Sequence, residues 1–383
     1  MSIAAKNERT SQYMISKITH FFPRIVLGGG TEYLLNTIEG LYKVGVKNEV
    51  LTASIDNKNC ADMRDKMLNY GTVEVVSFSV FSLLWADFFH RILRMRKLDH
   101  SLHFHGVFTM KLGAIFALLG WNIVYQPHGY WRSKREGARW FDTVIDWLAV
   151  CMASKVIITT PDELSNLPLC VSKIAGKKSV TILTRINHSS KSNMHYDEGS
   201  NVLVCIAVRG VYQKGIDNLM TLMKRAKTAK LNVRLVHYYG SFEGEYDLLQ
   251  REIIDSDLGD CYELRKAIPN VWSQDLAITG FISLSRFEGR SLAIQEAMLF
   301  GLPILATSCE GHADLLDQAC GSLMSVDNSD EQYNGLVDFL NDHTGRKTRA
   351  VNAQNRILAE PSSNDMAYEI YQVHKSLNHI GLG

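Results

Sequence analysis

Residues Ser283–Thr307 read SLSRFEGRSLAIQEAMLFGLPILAT and contain the pattern that decides the fold. The apolar run at Gly280–Leu284 predicts a buried strand, and apolar residues recur at helical spacing in Leu292–Phe300. Gly301 suits the left-handed position that ends a helix, and Pro303–Thr307 predicts the next strand. A strand, a helix and a second buried strand in this order make one unit of a parallel sheet.

The same alternation extends in both directions along the chain. The other predicted strands are Ser16–Phe22, Glu49–Ser54, Val73–Ser77, Ser101–His105, Asn122–Gln126, Lys155–Thr160, Asn201–Val208 and Val233–Tyr238. The other predicted helices begin at Thr31, which is a candidate N-cap, and at Phe81, Lys111, Asp142, Ile216, Tyr246 and Asn364. Two such series, separated by a polar stretch, predict an α/β protein with two Rossmann-like domains. The predicted boundaries are 1–187 for the first domain, 188–200 for a linker, 201–361 for the second domain and 362–383 for a C-terminal helix.

Composition excludes several classes of protein. The chain has 383 residues, of which 46% are hydrophobic and 21% charged, and its formal net charge is +1. Disorder needs fewer apolar residues, and a nucleic-acid-binding protein is usually strongly basic. Seven cysteines without C-x-x-C spacing predict reduced thiols in a cytoplasmic protein, not disulfides or a zinc site. The polar N-terminal residues do not resemble a signal peptide, and no apolar segment reaches the ~20 residues that span a bilayer.

Two carboxylates in the opening stretch suggest chemistry. Glu288 lies in the loop after a predicted strand, and Glu296 lies in the helix that follows. Ser291 can cap that helix, so that its free N–H groups and positive dipole end face the loop, as an anion site requires. A nucleoside diphosphate-sugar presents vicinal hydroxyls and a diphosphate, which such a site could bind. Two glutamates alone are more often a surface loop and a helix face, so the surrounding residues decide between these interpretations.

The stretch resembles the donor-binding signature of the GT-B, family-four (group 1) retaining glycosyltransferases, E-G-x-x-L-x-x-x-E-A-M followed by G-x-P. The matching residues are Glu288-Gly289, Leu292, Glu296-Ala297-Met298, Gly301 and Pro303. The resemblance implies that Glu296 binds the donor ribose and that Glu288 lies against the sugar and the diphosphate. It implies further donor contacts at Gly289, Arg290, Ser291 and Leu292. It also implies two domains that face each other across a cleft, with a C-terminal helix that crosses back to the first domain.

A second segment matches the same family. Arg209-Gly210-Val211-Tyr212-Gln213-Lys214-Gly215 follows a predicted strand and resembles the family's Arg-x4-Lys-Gly loop. The resemblance implies that Arg209 and Lys214 neutralise the donor diphosphate, which gains negative charge as it leaves in the transition state. Outside this context, both residues would more often be solvated loop charges. Val208 stands where the family usually has a glycine, so the backbone path here departs from the pattern.

Two segments of the first domain resemble the family more weakly. Gly28-Gly29-Gly30 resembles the family's glycine-rich loop, where missing side chains let the backbone approach the donor, and Gly29 and Gly30 are therefore candidate donor contacts. A flexible turn explains these glycines equally well. His128 lies in a Gln-Pro-His-Gly segment that resembles the family's His-Gly motif, in which the histidine contacts the transferred sugar.

The candidate metal ligands are few. His103 and His105 lie on one face of a predicted strand, but two alternating histidines make a weak metal site without a third ligand. Asp255-Ser256-Asp257 imitates a metal-binding D-x-D motif, yet it ends a predicted helix and fits a solvated acidic cap better. The sequence therefore predicts no metal and no resident cofactor. His105 is kept as a candidate acceptor contact.

The near-neutral charge conceals an asymmetry between the two halves. Up to Arg185 the chain has 23 basic and 15 acidic residues, and the remainder has 18 and 25. A basic first domain, the expected acceptor domain, suits an anionic acceptor or the anionic inner membrane around a lipid-linked one. Basic residues follow the aromatic helix at Phe81–Lys97, and Arg132, Lys134 and Arg135, candidate acceptor contacts, lie among tyrosine and tryptophan. Basic helix ends and core-facing aromatics are the ordinary alternative.

These observations predict a retaining glycosyltransferase that moves a sugar from a nucleotide-sugar donor to a hydroxyl of a glycan or lipid-linked acceptor. The resemblance is to enzymes of bacterial surface polysaccharide synthesis, such as lipopolysaccharide, O-antigen or capsule. Such an enzyme would be cytoplasmic, with peripheral contact at the cytoplasmic face of the membrane, and would have no nucleic-acid partner. Two alternatives remain open from the residues: a nucleotide-sugar epimerase of the same fold, and a non-catalytic nucleotide-sugar-binding paralogue.

Overall fold

The computed structural model describes residues 15–55, 59–76, 100–128, 140–167, 169–208, 212–240 and 244–378. These residues form two compact units. The first unit comprises Met1–Val26, Tyr33–Thr184 and Ser363–Gly383, and the second comprises Leu27–Glu32 and Arg185–Ser362. The predicted helix at 81–97 and the candidate residues Arg132, Lys134, Arg135 and Arg209 lie outside the described residues.

The first unit is built on a parallel sheet of seven strands in the order β3-β2-β1-β4-β5-β6-β7. Its strands are β1 (Lys17–Phe22), β2 (Lys47–Thr52), β3 (Gly71–Val75), β4 (His100–His105), β5 (Ile123–Gln126), β6 (Lys155–Ile158) and β7 (Ser179–Thr181). Its described α-helices are α1 (Gly29–Lys43), which belongs to it from Tyr33 onwards, α2 (Asn59–Leu68), α3 (Gly106–Leu118), α4 (Trp140–Met152), α5 (Leu169–Lys178) and α12 (Ser363–Asn378).

Both faces of this sheet are covered, which explains its continuously apolar strands. Phe21 and Phe104 stack on one face with ring centroids 4.2 Å apart, in a cluster that includes residues of α3 and α4. On the other face Val124 shares a buried cluster with Met366 and Ile370 of α12. The last helix of the chain therefore completes the core of the first unit.

The second unit contains a parallel six-stranded sheet in the order β11-β10-β9-β13-β14-β15 and a two-stranded sheet of β8 and β12. Its strands are β8 (Met194–Tyr196), β9 (Val202–Val208), β10 (Arg234–Gly240), β11 (Tyr262–Lys266), β12 (Leu276–Ile278), β13 (Gly280–Ser283), β14 (Ile304–Thr307) and β15 (Ser322–Met324). Its α-helices are α6 (Ile216–Thr228), α7 (Glu245–Asp255), α8 (Leu292–Leu299), α9 (Glu310–Ala313), α10 (Ser329–Asn341) and α11 (His343–Ala359).

The predicted fold class, two Rossmann-like α/β domains with parallel sheets, is confirmed. Two local predictions are wrong. Thr31 is not an N-cap, because the Gly28 carbonyl already accepts its N–H at 3.1 Å and α1 begins at Gly29. The predicted linker at 188–200 contains β8, which pairs in parallel with β12 and buries Met194. Among the described residues, no helix combines the length and apolar character needed to span a membrane.

Candidate functional site

The strand order of the second unit creates one preferred place for a ligand. From β9 the chain proceeds to β10 and β11 on one side, and it returns with β13 on the other side. In open α/β sheets ligands bind beyond the carboxyl ends of the strands where this direction reverses. The loop after β9 carries Lys214, and the loop after β13 carries Glu288. The fold therefore brings together two of the residues that the sequence analysis selected.

Lys214 and Glu288 form a short ion pair in this place. Lys214 Nζ lies 2.5 Å from Glu288 Oε1, and the hydroxyl of Ser285 donates to the same oxygen at 2.8 Å. The Glu288 side chain is only 10% exposed, against 23% for Lys214. Burial alone would raise the pKa of Glu288, but the Lys214 charge, His312 and the two hydrogen bonds outweigh it and hold the pKa below the ordinary value. Glu288 is therefore ionised at neutral pH.

Two glycines allow the loops to approach this closely. Gly215 has a φ of 62°, and a Cβ built on it would lie 2.0 Å from the Leu284 carbonyl oxygen. A Cβ on Gly311 would lie 2.3 Å from the Gly289 carbonyl oxygen. Real Cβ atoms do not reach such distances, so a side chain at either position would displace backbone. Gly215 thus fixes the Lys214 loop, and Gly311 fixes the loop that carries Glu288.

Helix α8 begins beside this pair. Ser291 is its N-cap, as predicted, and its Oγ accepts the N–H of Ile294 at 3.4 Å. Glu296 lies in the second turn, where Trp272 Nε1 donates to its Oε2 at 2.7 Å. Desolvation raises the pKa of Glu296 to about 8, more strongly than the Trp272 hydrogen bond lowers it. Glu288 and Glu296 therefore differ in protonation at pH 7, although both belong to one loop and helix.

The glycine-rich residues of the sequence reach the same region. Leu27–Glu32 belongs to the second unit, and a Cβ on Gly29 would make ordinary contact with Leu292 at 3.6 Å. Gly29 and Gly30 are exposed at the first turn of α1, where backbone N–H groups have no intrahelical partner. Glu32 adds to the upward shift of the Glu296 pKa. The free N–H groups at the start of α1 suit an anion.

Arg290, a predicted donor contact, is paired with a glutamate in the structure. Its guanidinium lies 2.5 Å from Glu360 and its side chain is only 2% exposed. Arg290 therefore ties the start of α8 to the segment after α11. Two cations were predicted to bind the donor. The structure describes Lys214, which lies at the switch point, the place where the strand order reverses, and Arg209 lies outside the described residues.

Sequence reasoning missed three residues that shape the site. Ser285 donates to Glu288, and Trp272 donates to Glu296. His312 is buried, with Nδ1 2.9 Å from the Thr307 carbonyl, and its interaction with Glu288 lowers the pKa of that carboxyl. Ser285 lies three residues before Glu288 in the same loop, whereas Trp272 and His312 come from segments outside it that no local pattern links to the two carboxylates. The position of His312, just after β14, gives a signal, since the carboxyl ends of parallel strands share one edge.

His128 lies two residues after β5 in the first unit and has an unusual backbone conformation. Its φ is 58°, a left-handed conformation that non-glycine residues rarely adopt, and such strain is often found at functional sites. Its Nε2 lies 2.9 Å from His105 Nδ1, and its ring packs against Tyr33 at 4.9 Å. Burial lowers the pKa of His128 to about 4, so the ring is neutral at pH 7.

The acceptor contact of His105 stays a prediction, and in the structure this side chain lies inside the first unit. His105 has no exposed surface, and its two ring nitrogens face His20 and His128. The sequence showed that it shares a strand face with His103, but not that this face is covered by α12. The burial follows from the sheet order, which places β4 at the centre of the sheet.

Comparison with known sequences identifies the second unit. Residues 190–356 match the family described as Glycosyl transferases group 1. Over 340 residues, 85% of this chain and 91% of the other, the chain is 25% identical to a protein of Haemophilus influenzae described as an uncharacterized glycosyltransferase.

Solved structures show the same fold over nearly the whole chain. Anabaena Alr3699/HepE, solved in complex with UDP and glucose, is 18% identical with a TM-score of 0.75, covering 94% of this chain and 100% of that one. Sucrose-phosphate synthase of Thermosynechococcus elongatus is 15% identical with a TM-score of 0.74, covering 96% and 100%. WaaG, described as a glycosyltransferase involved in lipopolysaccharide biosynthesis, is 11% identical with a TM-score of 0.68, covering 93% and 99%. The chain is a glycosyltransferase of the two-domain GT-B fold, and its residues 190–356 match the group 1 family.

Proposed function

We propose that this glycosyltransferase moves a sugar, with retention, from a nucleotide-sugar donor to a hydroxyl of a glycan or lipid-linked glycan. The observation that carries the proposal is the buried Lys214–Glu288 pair at the switch point of the second sheet, beside the capped N-terminus of α8. HepE, solved with UDP-glucose, supports a uridine diphosphate-sugar as the first donor to test.

Each part of such a donor has a chemical counterpart in the second unit. The vicinal ribose hydroxyls would donate to Glu296, which Trp272 already orients. The diphosphate would lie against Lys214 and the N–H groups at the start of α8. Glu288 would accept hydrogen bonds from sugar hydroxyls through a carboxylate that stays ionised at neutral pH. Arg209 is the further cation of this proposal, on the strength of the family resemblance.

The transfer step we propose breaks the bond between the anomeric carbon and the diphosphate oxygen. The departing diphosphate gains negative charge, which the fixed Lys214 ammonium stabilises in the transition state more than in the ground state. The acceptor oxygen bonds to the anomeric carbon on the face that the diphosphate leaves, and its proton passes to a phosphate oxygen. His128, neutral at pH 7, would hold a hydroxyl of the transferred sugar by hydrogen bonding. No resident metal or cofactor takes part in this proposed step.

The surface of the first unit supports contact with a lipid-linked acceptor. Large apolar side chains are exposed on α3 and α4, including Phe108, Leu118, Trp147 and Leu148. Exposed apolar groups beside a net basic chain segment favour an anionic membrane surface. We therefore propose peripheral binding at the cytoplasmic face of the inner membrane and a role in surface polysaccharide synthesis, as the description of WaaG suggests.

A vesicle sedimentation assay tests the membrane contact. Sedimentation of the protein with anionic but not with zwitterionic vesicles would support it, as would weaker sedimentation of the variant Trp147→Ser with Leu148→Ser. Equal recovery with both vesicle types would contradict it.

The donor proposal is tested by binding and turnover together. A panel of nucleotide sugars is screened by thermal shift, since a ligand of the folded state raises the unfolding temperature. The stabilising donor is then assayed for transfer and for slow hydrolysis, and the anomeric configuration of the product is read by NMR. Lys214→Met should reduce turnover by about 10²–10³-fold. The control, Lys227→Met, removes a surface lysine paired with Asp257 and Asp260 and should leave turnover unchanged.

Three outcomes would contradict the proposal. Release of an epimerised sugar nucleotide without acceptor would identify an epimerase. Donor binding without transfer or hydrolysis would identify a non-catalytic binding protein. An inverted product would refute the same-face mechanism while leaving the donor site intact.

A further inference from the structure

Three histidines from two neighbouring strands meet inside the first unit. His20 of β1 is aligned with His103 of the neighbouring β4, and His105 follows two residues later on the same face. None of the three has any exposed surface. One ring nitrogen from each lies within 4.8 Å of the other two, and this is the one such group of potential metal ligands in the described part of the chain. The third ligand that the sequence lacked is therefore His20.

One nitrogen–nitrogen distance in the cluster matches that of two ligands on one ion, and the others lie within 4.8 Å. His20 Nδ1 and His105 Nε2 lie 3.2 Å apart. A tetrahedral ion with metal–nitrogen bonds of ~2.0–2.1 Å holds two ligand nitrogens about 3.3 Å apart. His103 Nε2 is buried and has no hydrogen-bond partner among the described residues. An unpartnered buried nitrogen is costly, and a metal bond would satisfy it.

We propose that His20 Nδ1, His103 Nε2 and His105 Nε2 bind a divalent transition-metal ion of the Zn²⁺ class. Three imidazoles suit Zn²⁺ and its first-row neighbours, and they leave a fourth position for a solvent ligand. The site lies in the first unit, whereas Lys214 and Glu288 lie in the second. The ion is structural in this proposal, and its ligand His105 contacts His128, the residue proposed to hold the transferred sugar.

The outer nitrogen of His20 has the partner that metal binding requires. With Nδ1 on the ion, Nε2 carries the proton, and it lies 3.4 Å from Asn48 Oδ1. The orientation of the Asn48 side-chain amide is fixed, because its Nδ2 donates to the carbonyls of Ile38, Val46 and Tyr70 at 3.0–3.4 Å. Exchanging its oxygen and nitrogen would lose these hydrogen bonds. The oxygen of Asn48 is thereby held towards His20 as an acceptor.

The other two histidines follow the same rule. His103 Nδ1 lies 3.3 Å from His374 Nε2, and the other nitrogen of His374 lies 2.7 Å from Ser101 Oγ. His105 Nδ1 lies 2.9 Å from His128 Nε2. With the ion on the inner nitrogens, each outer nitrogen donates to a waiting acceptor, the arrangement that orients metal-bound histidines. One assignment of protons thus satisfies every one of these contacts.

The test measures metal in the full chain, freed of any affinity tag. The protein is stripped by chelator and dialysed, then titrated with Co²⁺, which gives visible d–d absorption in a tetrahedral nitrogen site, and with Zn²⁺ in competition. Expected are one equivalent of bound metal by elemental analysis, a Co²⁺ spectrum lost on Zn²⁺ addition, and a rise in unfolding temperature with Zn²⁺. Less than a tenth of an equivalent with no Co²⁺ spectrum in the wild-type chain would overturn the proposal, and this result needs no variant.

Two variants locate the metal. His103→Phe keeps a ring in the cluster but removes its ligand nitrogen, and it should weaken metal binding at least a hundredfold. His237→Phe is the matched control, since His237 is also fully buried with an unpartnered Nε2 but has no second histidine in a ligand group. Its metal content should equal that of the wild type. Equal loss of metal in both variants would place the ion elsewhere and refute the assignment.

Discussion

Replacing Lys214 by Met removes one partner of the Lys214–Glu288 pair and leaves a carboxylate with 10% of its side chain exposed. Breaking a buried ion pair in this way costs about 3–5 kcal/mol, because the remaining charge is buried without compensation. Lys214 is 23% exposed, so solvent already screens part of the interaction. We therefore expect the second unit to lose about 2–3 kcal/mol of unfolding free energy at pH 7.

The loss should depend on pH with a definite sign. In the wild type the Glu288 pKa lies below the ordinary value, so the carboxyl is ionised in both folded and unfolded chains above about pH 5. Without Lys214, burial raises the Glu288 pKa, and the folded state retains a proton that the unfolded state has released. The destabilisation of Lys214→Met relative to the wild type should therefore increase as the pH rises from 5 to 8.

Urea unfolding of a double-mutant cycle measures both quantities. The cycle consists of the wild type, Lys214→Met, Glu288→Gln and the double variant, each at pH 5 and pH 8. The double variant should be more stable than Lys214→Met, because no uncompensated charge is buried. A Lys214→Met loss that is the same at both pH values, or additive single effects, would refute the view that the pair is electrostatically coupled.

Three further perturbations test other parts of the site. Glu296 retains its proton in the folded state up to a pKa of about 8, so wild-type stability should fall between pH 5 and 8, and Glu296→Gln should abolish this part of the slope in thermal unfolding. Gly311→Ala should cost about 1–3 kcal/mol in urea unfolding and weaken donor binding, because its Cβ meets the Gly289 carbonyl. Gly176→Ala, with open space around its Cβ, is the control and should be neutral or stabilising. Ser291→Ala removes the cap of α8 and should cost about 1 kcal/mol, and an unchanged midpoint would contradict the capping role.

The fold could be predicted from the sequence because the patterns that indicate its strands and helices are local. Continuous apolar strands alternate with helical periodicity, and this pattern predicted strands such as β9 and β13 to within a few residues. The strands that were missed are short or edge strands, such as β8 and β15. Three residues carry too little pattern to outweigh neighbouring loop residues, and their pairing depends on a partner strand far away in sequence.

The site could be predicted only in part, because some of its residues are far apart in sequence. Glu288, Ser291 and Glu296 lie in one contiguous motif, so their spacing was readable. Trp272 and His312 act on those carboxylates from separate loops, and only the sheet order brings them close. The histidine cluster depends on the same kind of non-local contact, since strand register alone aligns His20 with His103.

The two glutamates show why position in a motif does not decide protonation. Glu288 is buried and Glu296 is half-buried, and desolvation acts on both carboxyls in the same direction. Glu288 faces the Lys214 ammonium and remains a carboxylate, whereas Glu296 has one neutral donor, Trp272, and an acidic neighbour, and so retains a proton near neutral pH. Paired carboxyls whose pKa values are driven apart by their surroundings are suited to different roles. In the proposed reaction the ionised Glu288 accepts hydrogen bonds from sugar hydroxyls. Glu296 loses its proton when the donor binds, because the ribose hydroxyls then donate hydrogen bonds to its carboxylate. Donor binding should then release a proton between pH 6 and 8, detectable as a buffer-dependent heat in calorimetry, and Glu296→Gln should abolish that dependence.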